Sequence, residues 1–311
     1  MSRPATPATV SAALVCIALA VAGCGVGAGD EEGTVRLTIT NDYGSETLAR
    51  DELEIRESDT VLRVLDRSAE ITTRYSGAFV QGIDGLEGES TGGRLVDWFY
   101  SVNGVEPAVG AADFDLRKGD RVWWDRRDWT AAMRMPANVG SFPEPFVTGY
   151  EGRRYPVVVD CLGVRANCEE VRAVLTGEGA ALARDGAEAD PDAPRVLVGP
   201  WERMRDDEAA AQIERGPQSS GVFADFEAAG EGWRLVGLDQ AGAPALGLAA
   251  GSGLVAATRR GSGPPVWVVT GVDTQGVAEA IELLDSDDLA DHYAVAAAPE
   301  SDPVALPVGG S

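Results

Sequence analysis

The chain has 311 residues, and its 26 Lys and Arg against 50 Asp and Glu give a formal net charge of −24 at pH 7. A surface this acidic repels phosphate backbones and anionic lipid, so we expect neither nucleic-acid binding nor electrostatic docking on a membrane. With 44% hydrophobic residues the composition is that of a globular protein, and the length suggests about two domains.

Residues 1–23 have the pattern of a lipoprotein signal peptide. Their apolar run, residues 10–22, is shorter than the roughly 20 residues that a membrane-spanning helix needs. It ends in Val-Ala-Gly-Cys, which resembles the bacterial lipobox, in which small residues precede a cysteine that receives lipid. We therefore expect Cys24 to anchor the protein to the extracytoplasmic side of the cell membrane. A plain secretory signal with an incidental cysteine is the alternative. Residues 24–33 follow as a flexible tether.

Residues 34–130 are predicted to form a strand-rich domain with a helix near its start. Residues 34–40 alternate polar and apolar side chains, which is the pattern of a half-buried strand. Asp59 is placed to cap a helix over residues 60–69, whose apolar side chains form one stripe. Further strands are expected at residues 78–83, 97–102 and 121–128. A helix among several strands indicates an α+β fold, and Asn103-Gly104 predicts a tight turn.

Four motifs follow one another between residues 59 and 128. They are Asp-Thr-Val-Leu-x-Val-Leu from residue 59, Gly-Ala-Phe-Val-x-x-Ile-Asp-Gly-Leu from 77, Trp-Phe-Tyr-Ser-Val-Asn-Gly from 98 and Gly-Ala-x-Asp-Phe from 110. In this order they resemble the transcobalamin-like C-terminal domain family. The resemblance implies a β-grasp-like fold. In the vitamin-B12 carriers of that family the domain closes over one face of a corrinoid, but their helical barrel has no counterpart in this chain.

Aromatic residues are concentrated in the same domain. Strand alternation places Trp124 on the inward face, and Trp123, Arg127 and Trp129 on the opposite face. Two interpretations are open: the second face packs against the rest of the protein, or it forms an aromatic platform for a flat ligand. On the second interpretation the candidate binding residues are Trp98, Tyr100, Trp123, Trp124, Arg127 and Trp129.

Beyond a proline-containing linker, residues 131–152, the pattern changes to alternating strands and helices. Residues 153–300 are therefore predicted to form a separate α/β sandwich domain, followed by a tail over residues 301–311. Strands are expected at residues 155–160, 195–199, 222–226, 233–239, 265–271 and 293–298. One helix is expected at residues 168–176. A second should follow the strand at residues 195–199, with Met204, Ala209 and Ile213 on its apolar side. A third should run from Asp273 or Thr274 to residue 284. No family is recognisable in this part.

Cys161 and Cys168 form an even pair in a chain expected to be exported. Six residues separate them, whereas a redox-active pair has two. Because a strand–turn–helix corner can bring two such residues within disulfide distance, we predict a structural disulfide, with a reduced pair as the alternative.

Catalytic and metal-binding motifs are weak. Residues 88–92 match Gly-x-Ser-x-Gly around Ser90, but the strand and helix that a nucleophile elbow requires are not expected on either side. His292, the single histidine, lies far away in the chain and has no motif around it. The acidic stretches 206–208 and 285–288 lack the spacing of a calcium loop. We therefore predict neither an enzyme nor a metal site.

The functional hypothesis that follows is a non-enzymatic extracytoplasmic lipoprotein that binds a ligand, with a corrinoid (cobalamin-like) or another flat molecule as the candidate. The alternative is a cell-envelope protein that contacts another protein as a scaffold. An enzyme that uses the α/β part is a weaker third. A cleft between the two parts, lined by Trp and Arg, would favour the first hypothesis.

Overall fold

The computed structural model describes Met1 and residues 33–77, 79–184, 186, 188–285 and 287–309. The predicted signal peptide and Cys24 lie outside these residues. Contacts between Cα atoms group the described residues from 33 onward into one compact unit. In the part of the chain that is described, no helix is long and apolar enough to cross a membrane.

The N-terminal part of this unit mixes strands with a helix. Its elements are β1 (Thr34–Asn41), β2 (Glu46–Glu54), α1 (Val61–Ser68), β3 (Ile71–Arg74), β4 (Phe79–Ile83), β5 (Leu86–Glu87), β6 (Glu89–Thr91), β7 (Arg94–Val102) and β8 (Arg121–Asp128). The main sheet has the order β2-β1-β8-β7-β6, and β3-β4-β5 form a smaller one. Strands β1 and β8 run parallel to each other within the main sheet.

The predicted elements of this part are present, with one correction at the helix cap. Thr60, and not Asp59, caps α1, because its hydroxyl accepts the Arg63 backbone N–H at 3.3 Å. Asp59 instead accepts hydrogen bonds from the backbone of Arg56 and from the side chain of Arg67. Asn103 and Gly104 both have positive φ, the conformation of a type I′ turn, as the sequence predicts.

The C-terminal part contains a mixed sheet covered on both faces. Its elements are β9 (Val158–Cys161), α2 (Arg165–Gly177), β10 (Arg195–Pro200), α3 (Trp201–Met204), α4 (Pro217–Ser220), β11 (Ala224–Ala229), β12 (Gly232–Leu238), β13 (Pro244–Gly247), β14 (Gly253–Arg259), β15 (Pro265–Gly271), α5 (Thr274–Glu282), β16 (Ala294–Ala297) and β17 (Val304–Leu306). The large sheet has the order β17-β16-β14-β15-β10-β9, with β9, β10 and β15 parallel. Strands β11-β12-β13 form a separate antiparallel sheet.

Strand β15 shows how this sheet is packed. Every residue of β15 is buried, because Val266 and Val268 face one core cluster while Trp267 and Val269 face the other. Helices α2 and α5 contribute to the second cluster. The first contains Trp201 of α3, whose ring stacks on that of Phe226 at 4.1 Å. A strand buried on both faces has a continuous apolar sequence, which is why it was predictable.

One prediction needs correction here. The helix expected to contain Met204, Ala209 and Ile213 is broken into α3 and a 3-10 helix at Ala210–Arg215. Residues of the predicted tail form β17, which pairs with β16. The linker packs against the core through Met135, Val139 and Phe146, which are buried.

Candidate ligand-binding cleft

The outward face of the N-terminal sheet meets the C-terminal part. Along β1 the side chains of Val35, Leu37 and Ile39 enter the core of the N-terminal part, so Arg36, Thr38 and Thr40 point to the other face. Along β8, Val122 and Trp124 enter the same core, and Arg121, Trp123, Asp125 and Arg127 point outward. This outward face is divided into a sealed half and an open half.

The sealed half is held by a buried hydrogen-bond network. The Asp125 carboxylate accepts from the Thr40 hydroxyl at 2.6 Å, from the Gly44 backbone N–H at 3.1 Å and from the Tyr293 hydroxyl at 3.1 Å. The Trp123 indole N–H donates to the Thr40 hydroxyl at 2.8 Å. Burial raises the pKa of Asp125, and the hydrogen bond from Thr40 opposes this rise. The network connects β1 and β8 to a residue close to β16.

Aromatic rings close the same half. Tyr43, in the turn after β1, packs edge-on against Phe223 and Tyr293 with ring centroids 5.5 and 5.7 Å apart. The Trp123 ring lies 4.7 Å from that of Tyr293. The interpretation in which this face packs against the rest of the protein is therefore confirmed for this half of the sheet.

Arg127 belongs to the sealed half as well. Its guanidinium stacks on Phe99 at 4.0 Å and donates to the linker carbonyls of Ala132 at 2.8 Å and Met133 at 3.1 Å. With 1% of its surface exposed, it cannot meet a ligand at the rim of an open platform. It attaches the linker to the sheet.

The open half forms the floor of a cleft of about 820 Å³. The sheet supplies Arg36, Thr38, Arg50, Arg121, Val122 and Trp123. The other walls are the linker and the segment after α5, with Glu178 from the end of α2. Their lining residues are Gly140, Ser141, Phe142, Pro143, Glu178, Leu284, Asp287, Leu289, Ala290 and Asp291. The cleft thus lies between the N-terminal sheet and the C-terminal part, and both Trp and Arg line it.

The arginines of the cleft differ in their partners. Arg50 forms an ion pair with Asp291, its Nε lying 3.1 Å from the Oδ2 atom. Arg121 is half-buried and donates through Nη1 to the carbonyl of Phe142 at 2.6 Å. Burial, followed by the neighbouring charge of Arg36, lowers the pKa of the Arg121 guanidinium. Arg36 is exposed.

The residues of the predicted aromatic platform do not share an open surface. Trp98 and Trp124 lie in the core of the N-terminal part with 3% and 2% exposure, and the Trp98 indole donates to the Leu86 carbonyl. Tyr100 packs on Trp124 with ring centroids 5.1 Å apart. The half-buried Trp129 donates to Asp97 at 2.8 Å. This burial corrects the expectation of an open platform, and Trp123 alone among the six predicted residues lines the large cleft.

Sequence reasoning missed Arg36, Arg50 and Arg121. The alternation in residues 34–40 places Arg36 on the polar face of its strand, which was a usable signal. Arginine is common in this chain, however, and nothing in the sequence separates these positions from the arginines of ordinary surface ion pairs. Their proximity depends on the pairing of β8 with β1, two strands that are far apart in the chain.

The remaining motifs do not assemble a catalytic or metal site. Ser90 lies in β6 and is followed by β7, which is not the strand–turn–helix of a nucleophile elbow. His292 is partly buried with Nδ1 unpartnered, and this burial lowers its pKa. Among the described residues, no group of three or more His, Cys, Asp or Glu is placed to hold a metal ion.

The predicted disulfide is confirmed. Cys161, at the end of β9, is bonded to Cys168 in α2, with their Cα atoms 5.7 Å apart. Cys161 is exposed, while Cys168 lies on the buried face of α2. The bond ties the edge strand β9 to the first turns of α2.

One region of the chain is similar to known proteins. Residues 58–127 match the family described as Domain of unknown function (DUF4430), over the stretch that resembles the transcobalamin-like family. A candidate metal-binding protein from Ruminococcus gnavus is 15% identical with a TM-score of 0.24, covering 31% of this chain and 98% of its own. Haptocorrin in complex with Cbi is 16% identical with a TM-score of 0.26, covering 32% of this chain and 26% of its own. No curated protein matches.

Proposed function

We propose that this protein is a non-enzymatic, lipid-anchored binding protein outside the cytoplasm, and that a small molecule binds in the cleft between the sheet and the C-terminal part. The observation that carries this proposal is the cleft itself, because its volume of about 820 Å³ falls in the range of small-molecule sites. Polar side chains dominate its walls, which favours a polar ligand, and Trp123 and Phe142 add aromatic side chains to the lining.

The sealed half of the sheet supports the same proposal. The buried network of Asp125, Thr40 and Tyr293 fixes the strands that form the cleft floor. Arg121 fixes the opposite wall, since its guanidinium donates to linker carbonyls. A cleft whose walls are held in place before the ligand arrives loses little conformational entropy on binding.

The proposed location rests on the sequence around Cys24, which has the lipobox spacing. The disulfide between Cys161 and Cys168 supports it, because such bonds persist in oxidising compartments. Lipid on Cys24 would keep the cleft at the membrane surface without a spanning helix. In this position the protein would capture its ligand outside the cytoplasm.

A corrinoid is the first molecule to test, because the resemblance to the transcobalamin-like family implies it. The buried positions of Trp98, Trp124 and Arg127 remove the platform on which it was expected to stack. A corrinoid would have to enter the cleft and contact Trp123 at its edge. A smaller polar molecule does not need this contact with Trp123.

The experiment is a binding screen on the full chain purified in mild detergent. Cobalamin and a library of polar metabolites are tested by thermal shift, and each hit is measured by calorimetry and by Trp fluorescence. Ala290 is exposed and lines the cleft, so the large side chain of Ala290→Trp should obstruct the cleft and strongly weaken binding. Ala245, exposed on β13, provides the matched control Ala245→Trp, which should bind normally.

The outcomes separate the hypotheses. Binding that Ala290→Trp removes and Ala245→Trp retains supports the proposal. Binding that survives in Ala290→Trp places the site elsewhere and contradicts it. If cobalamin and the whole library give no saturable signal up to about 1 mM, the weak end of specific binding, the scaffold hypothesis replaces it.

A further inference from the structure

The Arg36 side chain is exposed and lines the cleft. Many other arginines of the chain pair with carboxylates, as Arg67 does with Asp59 and Arg195 does with Asp160. Within the described residues, no side-chain hydrogen bond or ion pair engages the Arg36 guanidinium. The Arg36 guanidinium is therefore available to a molecule that enters the cleft.

The acidic neighbours of Arg36 in the sheet are engaged elsewhere. Glu52 is opposite Arg36 on β2, but its carboxylate accepts the Thr34 hydroxyl at 2.6 Å. Glu144 is buried close to Arg121, and it accepts from the backbone and the hydroxyl of Thr148, both at 2.7 Å. Neither carboxylate lies within ion-pair distance of the two guanidinium groups, although both line a small pocket beside them, so the guanidinium groups keep N–H donors that no carboxylate occupies.

A second guanidinium stands beside Arg36. In the parallel pairing of β1 with β8, Arg36 and Arg121 are direct partners, and both side chains point to the open face. Arg121 is held in place by its bond to the Phe142 carbonyl. Two adjacent cations repel each other, and an anion between them removes that repulsion. Thr38, the next residue of β1 on this face, brings a hydroxyl to the same floor.

We infer that the ligand of the cleft carries an oxyanion, a carboxylate or a phosphate, which binds between Arg36 and Arg121. This inference rests on the proposed function. A guanidinium group is planar, and its N–H donors are spaced to bond two oxygens of a carboxylate or of a phosphate. Glu178 and Asp287 lie on other walls of the cleft, so the anionic group belongs at the sheet end of the ligand and a neutral or cationic group at the other end.

The test uses simple anions as probes. Inorganic phosphate, succinate and the neutral succinamide are titrated calorimetrically into the full chain at low salt. We expect phosphate or succinate to bind and the neutral succinamide to give no heat. Comparing the phosphate titration with the succinate titration shows which anion is preferred. Arg36→Gln should weaken binding about tenfold or more, the effect of losing one charge-assisted hydrogen bond. Arg203→Gln, an exposed arginine of α3 outside the cleft, is the charge-matched control.

Arg36 is exposed, so its replacement should leave the melting temperature unchanged, and Arg121→Gln serves as a second variant. The inference is overturned if neither anion binds but a neutral compound from the screen does, and Ala290→Trp blocks that binding. In that case the proposed function still stands. It is also overturned if Arg36→Gln and Arg121→Gln bind the probes as tightly as Arg203→Gln does. Absence of all binding, from probes and library alike, overturns both proposals.

Discussion

Replacing both Cys161 and Cys168 with serine should lower the free energy of unfolding by about 2 kcal/mol. The two cysteines are 7 positions apart, so the bond closes a short loop. Loop closure of this length removes about 8 cal/mol/K of entropy from the unfolded chain, which is about 2.3 kcal/mol at 25 °C. The bond also attaches β9, an edge strand that pairs with β10, to the helix that covers it.

The assay is thermal unfolding with and without reductant. A loss of about 2 kcal/mol should lower the melting temperature by roughly 3 °C in a unit of this size. Because Cys161 is exposed, reductant should reach the bond in the folded wild type and lower its melting temperature to that of the double variant. Reductant should leave the variant itself unaffected. Equal melting temperatures for oxidised and reduced wild type, or two free thiols on alkylation without reduction, would refute the reasoning.

Three further predictions concern the sealed face and the anchor. Burial raises the pKa of Asp125, and the hydrogen bond from Thr40 opposes this rise. The wild type should therefore gain stability relative to Asp125→Asn as the pH falls from 8 towards 4, which the melting temperatures of the two proteins measure. A difference in melting temperature that stays constant over this pH range contradicts the prediction. Arg127→Lys should cost about 2 kcal/mol in urea unfolding, because lysine cannot hold two linker carbonyls and stack on a ring, whereas Arg203→Lys should cost nothing measurable. Cys24→Ala should release the protein from membranes or leave the precursor uncleaved, and unchanged fractionation and processing would exclude lipidation.

Sequence patterns predicted the elements whose burial is regular. The alternation in β1 reflects a strand covered mainly on one face, and the continuous apolar run of β15 reflects a strand covered on both. Strand β2 escaped prediction because it is an exposed edge of mostly charged residues, whose extended form comes from pairing with β1. Strand β14 is fully buried, but its small residues give no strong strand signal.

The site was predictable only in part. The alternation in β8 correctly placed Trp123 on the outward face, but its role depends on Tyr293, a residue far along the chain that covers it. The sequence cannot show which half of the face is covered and which half is open. For the same reason the cleft arginines went unnoticed, since Arg36 and Arg121 become neighbours through strand pairing alone.

The sealed half of the sheet also constrains how the protein can evolve and be engineered. The N-terminal sheet region resembles a module, but cutting the chain after residue 130 would expose Tyr43, Trp123 and the carboxylate of Asp125, which is 1% exposed in the intact protein. Transplanting this region onto another protein therefore requires a new cover for the same surface. Substitutions at Asp125 and Tyr293, which are 168 positions apart and share a hydrogen bond, should accordingly be inherited together in related chains.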